Sequence, residues 1–303
     1  DVFKKYGADI CRLWAGSADY HVDVRCSDEI FKQLSQNYLK FRNTAKFCLD
    51  NLTDFDPNQL TAPADMEALD RWAITKLNEL LVKCEAAYQN YEFLTVSHAV
   101  NDFCVVTLSS LYLDIIKDRL YCADEHARRC AQTALYRILV DFTKLVAPIL
   151  CFTAQEIWSY IPKLEGMQEY VCWERMPEAK SDEDAAFDAK WAKIIAVRDD
   201  VKKVLEQARA DKTIGSSLEA AVTLYCSDEM YDFLNAIPMD ELADLMIVSH
   251  VDLVKGEGGV KGLTEGLGMS VAHAAGNKCL RCWKFDTAVG EDGLCPRCAK
   301  VLG

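Results

Sequence analysis

The sequence predicts a mainly α protein: an antiparallel helix bundle, then a small α+β domain, then a four-cysteine zinc ribbon. Three observations carry this. Apolar residues recur at helical spacing through the first 160 positions. After Gly215 the apolar runs become short and β-branched. Near the last residues stand two Cys-x2-Cys pairs separated by twelve residues. The expected division is a junction over 1–20, the bundle over 21–162, an acidic connector and helix over 163–212, the α+β domain over 213–276 and the ribbon over 277–303.

Ser27 followed by Asp28 and Glu29 marks a helix start, a capping hydroxyl with acids at the positive end of the dipole. Ile30, Leu34, Phe41, Ala45 and Cys48 then form its apolar stripe. A polar turn with two prolines spans Asp54 to Pro63, and a second long helix follows with Leu69, Trp72, Leu80, Cys84 and Tyr88 on one face. Thr95 is expected to cap a third helix that runs as one piece through Val100, Phe103 and Leu111 to Ile116. A fourth, from about Glu125, carries Leu135, Leu139, Phe142 and Val146 up to Pro148. Long amphipathic helices joined by short loops pack as an antiparallel bundle.

Pro162, Gly166 and Pro177 break the chain into a loop-rich connector, before another helix over Ala185 to Ala210. Leu218 to Cys226, Leu245 to Val254 and Met269 to Ala275 read as strands, the first two separated by an acidic helical stretch. Gly256 to Gly268 holds six of the fourteen glycines and reads as a flexible loop.

The strongest chemical signal is Cys279-x2-Cys282 followed by Cys295-x2-Cys298. Each x2 spacing lets two thiolates on a tight turn converge on one ion, and the intervening residues, with turn-forming Gly290 and Gly293, can bring the second pair round to complete a tetrahedron. Four sulfurs leave no position for water, so the expected metal is one structural Zn2+ rather than a Lewis acid. Lys278, Arg281, Lys284, Arg297 and Lys300 accompany the ribbon, and Trp283 follows its second ligand. That indole can stack on an unpaired base or pack against the neighbouring domain; the sequence leaves both open. His273, six residues before Cys279, reads as a strand residue because four sulfurs already saturate zinc.

The composition is that of a globular protein, 50% hydrophobic and 27% charged, which excludes a disordered or collagen-like chain. The net charge of -13 argues at first against a nucleic-acid partner. Its distribution reverses that reading: residues 163–188 carry eight acids against three bases, and residues 227–244 carry six acids and no base. These two segments hold -11 of the total, so the remainder sits near neutrality. Ten of the fourteen cysteines are scattered singly, as in a reducing cytoplasm. No run reaches the roughly eighteen uninterrupted apolar residues of a membrane span, so no membrane partner is expected. The chain begins at Asp1 without Met or an apolar leader core and reads as part of a longer protein.

Several segments resemble a known family. Tyr6-Gly7-Ala8-Asp9 with Arg12-Leu13-Trp14 is similar to the stretch after the KMSKS loop of class Ia aminoacyl-tRNA synthetases. Phe41-Arg42-Asn43-Thr44 and Asp70-Arg71-Trp72 resemble their helical anticodon-binding domain in the Ile/Val/Leu group. Tyr112-Leu113-Asp114, Lys117-Asp118-Arg119-Leu120-Tyr121, and Ala147-Pro148-Ile149-Leu150 leading into Glu156-Ile157-Trp158 resemble the isoleucyl branch. So do Arg198, Glu206, Lys212, Ile214-Gly215 and Ser217 to Ala220, and the ending from Cys279 to Cys298. Ser159 to Trp173 departs from the family pattern.

The resemblance implies an anticodon-binding bundle of the class Ia type and the C-terminal third of the enzyme. That segment would bind tRNA(Ile) without catalysing anything. The sequence contains no HIGH-like motif, KMSKS run, phosphate loop or editing pattern. The parent would be a monomeric cytoplasmic ligase that joins isoleucine to tRNA with ATP, the ATP being used by a catalytic domain outside this sequence.

Arg42, Lys117 and Arg119 are the helix-borne candidates for tRNA phosphates, with salt bridges to acids such as Asp114, Asp118 and Asp70 as the competing role. Arg281 and Trp283 are the candidates for reading the anticodon, and Arg128-Arg129 can extend a backbone-binding strip. The competing functional classes are a helical module whose ribbon docks a protein partner, the equivalent valyl segment, and a DNA-repair enzyme with a terminal four-cysteine finger. The last would need an N-terminal catalytic group, which the first residues do not offer.

Overall fold

The computed structural model describes residues 2–179 and 184–303; part of the acidic connector, residues 180–183, lies outside the described residues. Internal contacts divide the chain into two units. Of the described residues, one comprises 2–116 and 125–179, the other Lys117–Asp124 and Asp184–Gly303.

The first unit is helical. After two short helices, α1 (Val2–Tyr6) and α2 (Ala8–Gly16), comes α3 (Asp28–Asp50), whose Ser27 side chain accepts from the Ile30 N–H at 3.3 Å as the capping pattern requires. The long α4 (Ala68–Gln89) buries Leu69, Trp72, Leu80 and Cys84. Buried Asp70 accepts the Tyr112 hydroxyl at 2.7 Å, which gives the Asp-Arg-Trp segment a core role. Asp9 ties α2 to α9 (Cys151–Tyr160): it accepts from the Thr153 N–H at 2.7 Å, one of the orphan donors at that helix's start.

The expected third helix is present as one continuous helical run whose winding changes along its length. It begins as α5 (Phe93–Asp102), two residues before Thr95, because Tyr91 at φ 59° and the Glu92 cap already turn the chain. Residues Phe103–Tyr112 then form a π-helix, followed by α6 (Leu113–Ile115) and, in the other unit, α7 (Lys117–Cys122). By length and composition the run Phe93–Cys122 resembles a membrane span, yet 56% of its most apolar window is buried inside the fold. Phe103, Cys104, Leu108 and Tyr112 are core residues. The bundle is completed by α8 (Glu125–Val146), whose Tyr88 partner donates to the Leu145 carbonyl at 2.8 Å. The described connector packs on this unit. Glu174 pairs with Lys144 at 3.0 Å, and Lys163 lies 3.7 Å from the Trp158 ring, where burial brings its amine down to about 8.

The second unit is α+β. Its leading helix α10 (Ala185–Ala210) has the expected bounds and is capped by Asp184, which accepts from Ala186 and Phe187. Four strands follow in spatial order β2-β1-β4-β3: β1 (Ala220–Cys226) runs parallel to β2 (His250–Lys255) and antiparallel to β4 (Leu267–His273), which also pairs with β3 (Val260–Lys261). Two acidic helices, α11 (Asp228–Asn235) and α12 (Met239–Met246), connect β1 to β2. The expected strand from Leu245 therefore begins five residues later. Leu245 and Met246 belong to the buried face of α12, and Ile247 stops that helix in the left-handed region at φ 57°. Within the expected glycine loop, Val260–Lys261 forms β3 against β4.

The loop is held from within. Asp200, on α10 and 3% exposed, accepts the Thr264 N–H at 2.7 Å. A side chain at Gly262 would place its Cβ 2.6 Å from that carboxylate, so the approach needs glycine there.

Candidate functional site

The ribbon is built from two sulfur-bearing turns, a two-stranded hairpin and a terminal helix. β5 (Asn277–Lys278) pairs with β6 (Phe285–Asp286), and α13 (Pro296–Leu302) starts at the fourth-ligand turn with proline at its first position. In the first turn the Cys279 N–H donates to Lys284 O at 2.8 Å and the Trp283 N–H returns to Cys279 O at 2.9 Å. Gly293 sits at φ 75° with its missing Cβ 2.5 Å from Leu280, which explains the glycine in the second turn.

All four sulfurs lie within 4.8 Å of one another, and Cys282 and Cys295 are 3.8 Å apart. Zinc with Zn–S bonds of about 2.3 Å needs sulfurs about 3.8 Å apart in a tetrahedron. The donor set therefore fits one structural zinc. All four side chains are buried. Burial pushes the Cys279 thiol up, but hydrogen bonds from the Cys282, Cys295 and Arg281 N–H groups outweigh it and hold the thiol near 6. Cys282 moves the other way, pushed up by burial. When bound, zinc supplies a cross-link between the two turns. His273 stays outside the set: its ring packs edge-on to Phe285 at 4.9 Å, and its Nδ1 lies 2.8 Å from Ala274 O.

Trp283 is 60% exposed and occupies the left-handed region at φ 66°. Lys278 Nζ stands 5.6 Å from its ring centroid. A bulky residue in this backbone region is strained, and the exposed ring gains little burial in return.

Residues 70–224 match the model of the anticodon-binding domain of tRNA ligase, and residues 276–301 match the zinc finger found in FPG and IleRS. The chain belongs to the tRNA ligase anticodon-binding family. The isoleucine–tRNA ligase of Geobacter sulfurreducens is 45% identical over 312 residues, taking in 100% of this chain and 34% of that protein. The isoleucine–tRNA ligases of Moorella thermoacetica, over 316 residues and 100% of this chain, and Bacillus mycoides, over 316 residues and 99%, are also 45% identical, with 34% of each protein covered. The chain thus spans about a third of the length of the curated relatives it matches, their C-terminal part.

Within this tRNA ligase segment the expected RNA contacts fall in different settings. Arg42 is exposed on α3, beside a groove of about 480 Å3 that Lys46, Glu156 and Tyr160 also line. Lys117 is exposed at the start of α7. Arg119, on the same helix, is 9% exposed, its side chain largely enclosed by the fold. Arg281 is likewise occupied. Its Nη1 donates to Cys122 O at 3.0 Å and its Nη2 to Tyr121 O at 3.4 Å, the last carbonyls of α7, so it holds a helix end. Arg128 and Arg129 both close on the Asp54 loop: Arg128 Nη2 lies 2.9 Å from Asp54 Oδ1, and Arg129 Nη1 lies 3.0 Å from Asp54 O.

Sequence reasoning missed Asp118 and Cys122 as partners of the ribbon. Arg297 makes a bidentate pair with Asp118 at 2.6 and 2.7 Å, and Cys122 packs with the four ribbon cysteines. The signal that points to them is the arginine repeated before the second cysteine of both pairs.

Proposed function

We propose that this chain is the tRNA(Ile)-recognition segment of an isoleucine–tRNA ligase, with the helical part and α7 contacting phosphates and the ribbon contacting the anticodon loop. The whole protein would ligate isoleucine to tRNA with ATP in the cytoplasm; the residues here bind and orient the RNA. The observation that carries the reading is Trp283: an exposed ring in a strained backbone position, on a turn whose four sulfurs fit a rigid zinc site. Unpaired loop bases splay onto aromatic faces, so such a ring is a stacking platform. Arg42 and Lys117 supply charge-dependent, sequence-independent contacts to the backbone.

Affinity of the zinc-loaded chain for tRNA, measured across salt concentrations, tests this. Arg42→Ala and Lys117→Ala should each weaken binding uniformly across tRNA sequences and reduce the salt slope by about one unit. Unchanged affinity and slope in both variants would remove these residues from the interface.

A further inference from the structure

The two cysteine pairs share one pattern, Cys279-Leu280-Arg281-Cys282 and Cys295-Pro296-Arg297-Cys298, and both arginines address the same short helix. Arg281 takes its C-terminal end, donating to the carbonyls of Cys122 and Tyr121 at 3.0 and 3.4 Å, where a cation also meets the negative end of the helix dipole. Arg297 takes its first turn through the planar, two-bonded pair with Asp118, the geometry in which guanidinium fixes orientation best. Between them the Cys122 thiol donates to Arg281 O at 3.5 Å, from a side chain 6% exposed. Three contacts thus join the ribbon to α7, the last six residues of the helical run Phe93–Cys122. The same helix carries Lys117.

We propose that Arg281 and Arg297 are positioning residues of the RNA interface: they clamp α7 to the ribbon, so that the zinc site fixes where Lys117 meets RNA. This rests on the tRNA-binding reading above. It gives the ribbon a second task beside presenting Trp283. It also accounts for the contacts of both arginines with protein, one in each cysteine turn. The dependence runs in one direction, from the metal to the two turns, from the turns to the two arginines, and from them to α7.

The test uses the whole zinc-loaded chain, Arg297→Asp, the exchanged pair Arg297→Asp with Asp118→Arg, and Lys117→Ala in each of these backgrounds. Arg297→Asp should lower tRNA affinity about tenfold with zinc content still near one per chain, and the exchanged pair should restore most of that loss. Lys117→Ala should weaken the wild type severalfold and add nothing to Arg297→Asp, because the misplaced lysine no longer makes its contact. A purely structural arginine would lower the melting temperature without producing this non-additivity or the rescue. Hydrogen exchange supplies a readout independent of the variants' folding: chelating zinc should speed exchange of the residue 118–122 amides while β1 and β4 keep their protection. Wild type that binds RNA and responds to Lys117→Ala, with Arg297→Asp adding its full loss independently, would overturn the clamp. So would α7 amides indifferent to zinc. Wild type that binds no tRNA would instead defeat the underlying reading.

Discussion

Trp283 concentrates the argument at the scale of a residue. Its backbone at φ 66° is one that glycine adopts freely and a β-carbon resists. Trp283→Gly should therefore relieve about 1 kcal/mol of strain and raise the melting temperature of the zinc-loaded chain, whereas Trp283→Ala keeps the strain. Both should lose about 1–3 kcal/mol of RNA affinity if one base stacks there. Thermal melts paired with tRNA titrations check this. A glycine variant that melts no higher than the alanine variant, or that binds RNA like the wild type, contradicts it. The residue types at the site were legible from the sequence: the four cysteines and the indole stand where spacing places them. The contacts of Arg281 and Arg297 were not legible. A cation's availability depends on which carbonyls and carboxylates fold against it, and Asp118 lies 179 positions from Arg297.

Elements were legible where a local signal specifies them. Ser27 caps α3, and that helix begins where its side chain accepts the Ile30 N–H. The π-helix at Phe103–Tyr112 was not, because its apolar run satisfies an α-helical reading equally well and no residue announces the wider turn. The glycine segment shows the converse. Its composition signals flexibility, yet Asp200 reaches in from α10 and holds Thr264. Burial raises the Asp200 carboxyl, but the hydrogen bond from the Thr264 N–H and other donors outweigh it and leave it near 2. A carboxylate depressed in the folded state stabilises above its unfolded pKa of about 3.9, and that contribution is lost as pH falls toward 2. Asp200→Ala should cost on the order of 1–3 kcal/mol at neutral pH by stranding the Thr264 N–H. Its deficit in urea unfolding should shrink as pH drops from 5 towards 3. A deficit that stays constant across that range would mean the carboxylate's charge is not what holds the loop.

For the whole molecule, the net charge of -13 matters less than where it sits. In the acidic stretch 227–244, Asp228 and Asp232 lie 3.3 and 3.7 Å from Lys255, Glu229 lies 3.1 Å from Lys193, and Asp244 pairs with Lys284. Much of the acidity is answered locally, so an overall negative chain retains surfaces on which RNA can settle. The division of the chain was only partly visible beforehand. Periodicity separates the helical from the α+β part, but α7 sits amid helical sequence and folds with the ribbon's unit. Only the folded contacts reveal that. The central claim, recognition of tRNA(Ile) through its anticodon loop, is tested most directly by titrating the zinc-loaded chain at fixed salt with a tRNA(Ile) transcript and with the same transcript carrying an exchanged anticodon. The account predicts clear preference for the native anticodon, with that preference reduced in Trp283→Ala. Equal affinity for both transcripts, or negligible binding to either, would contradict it.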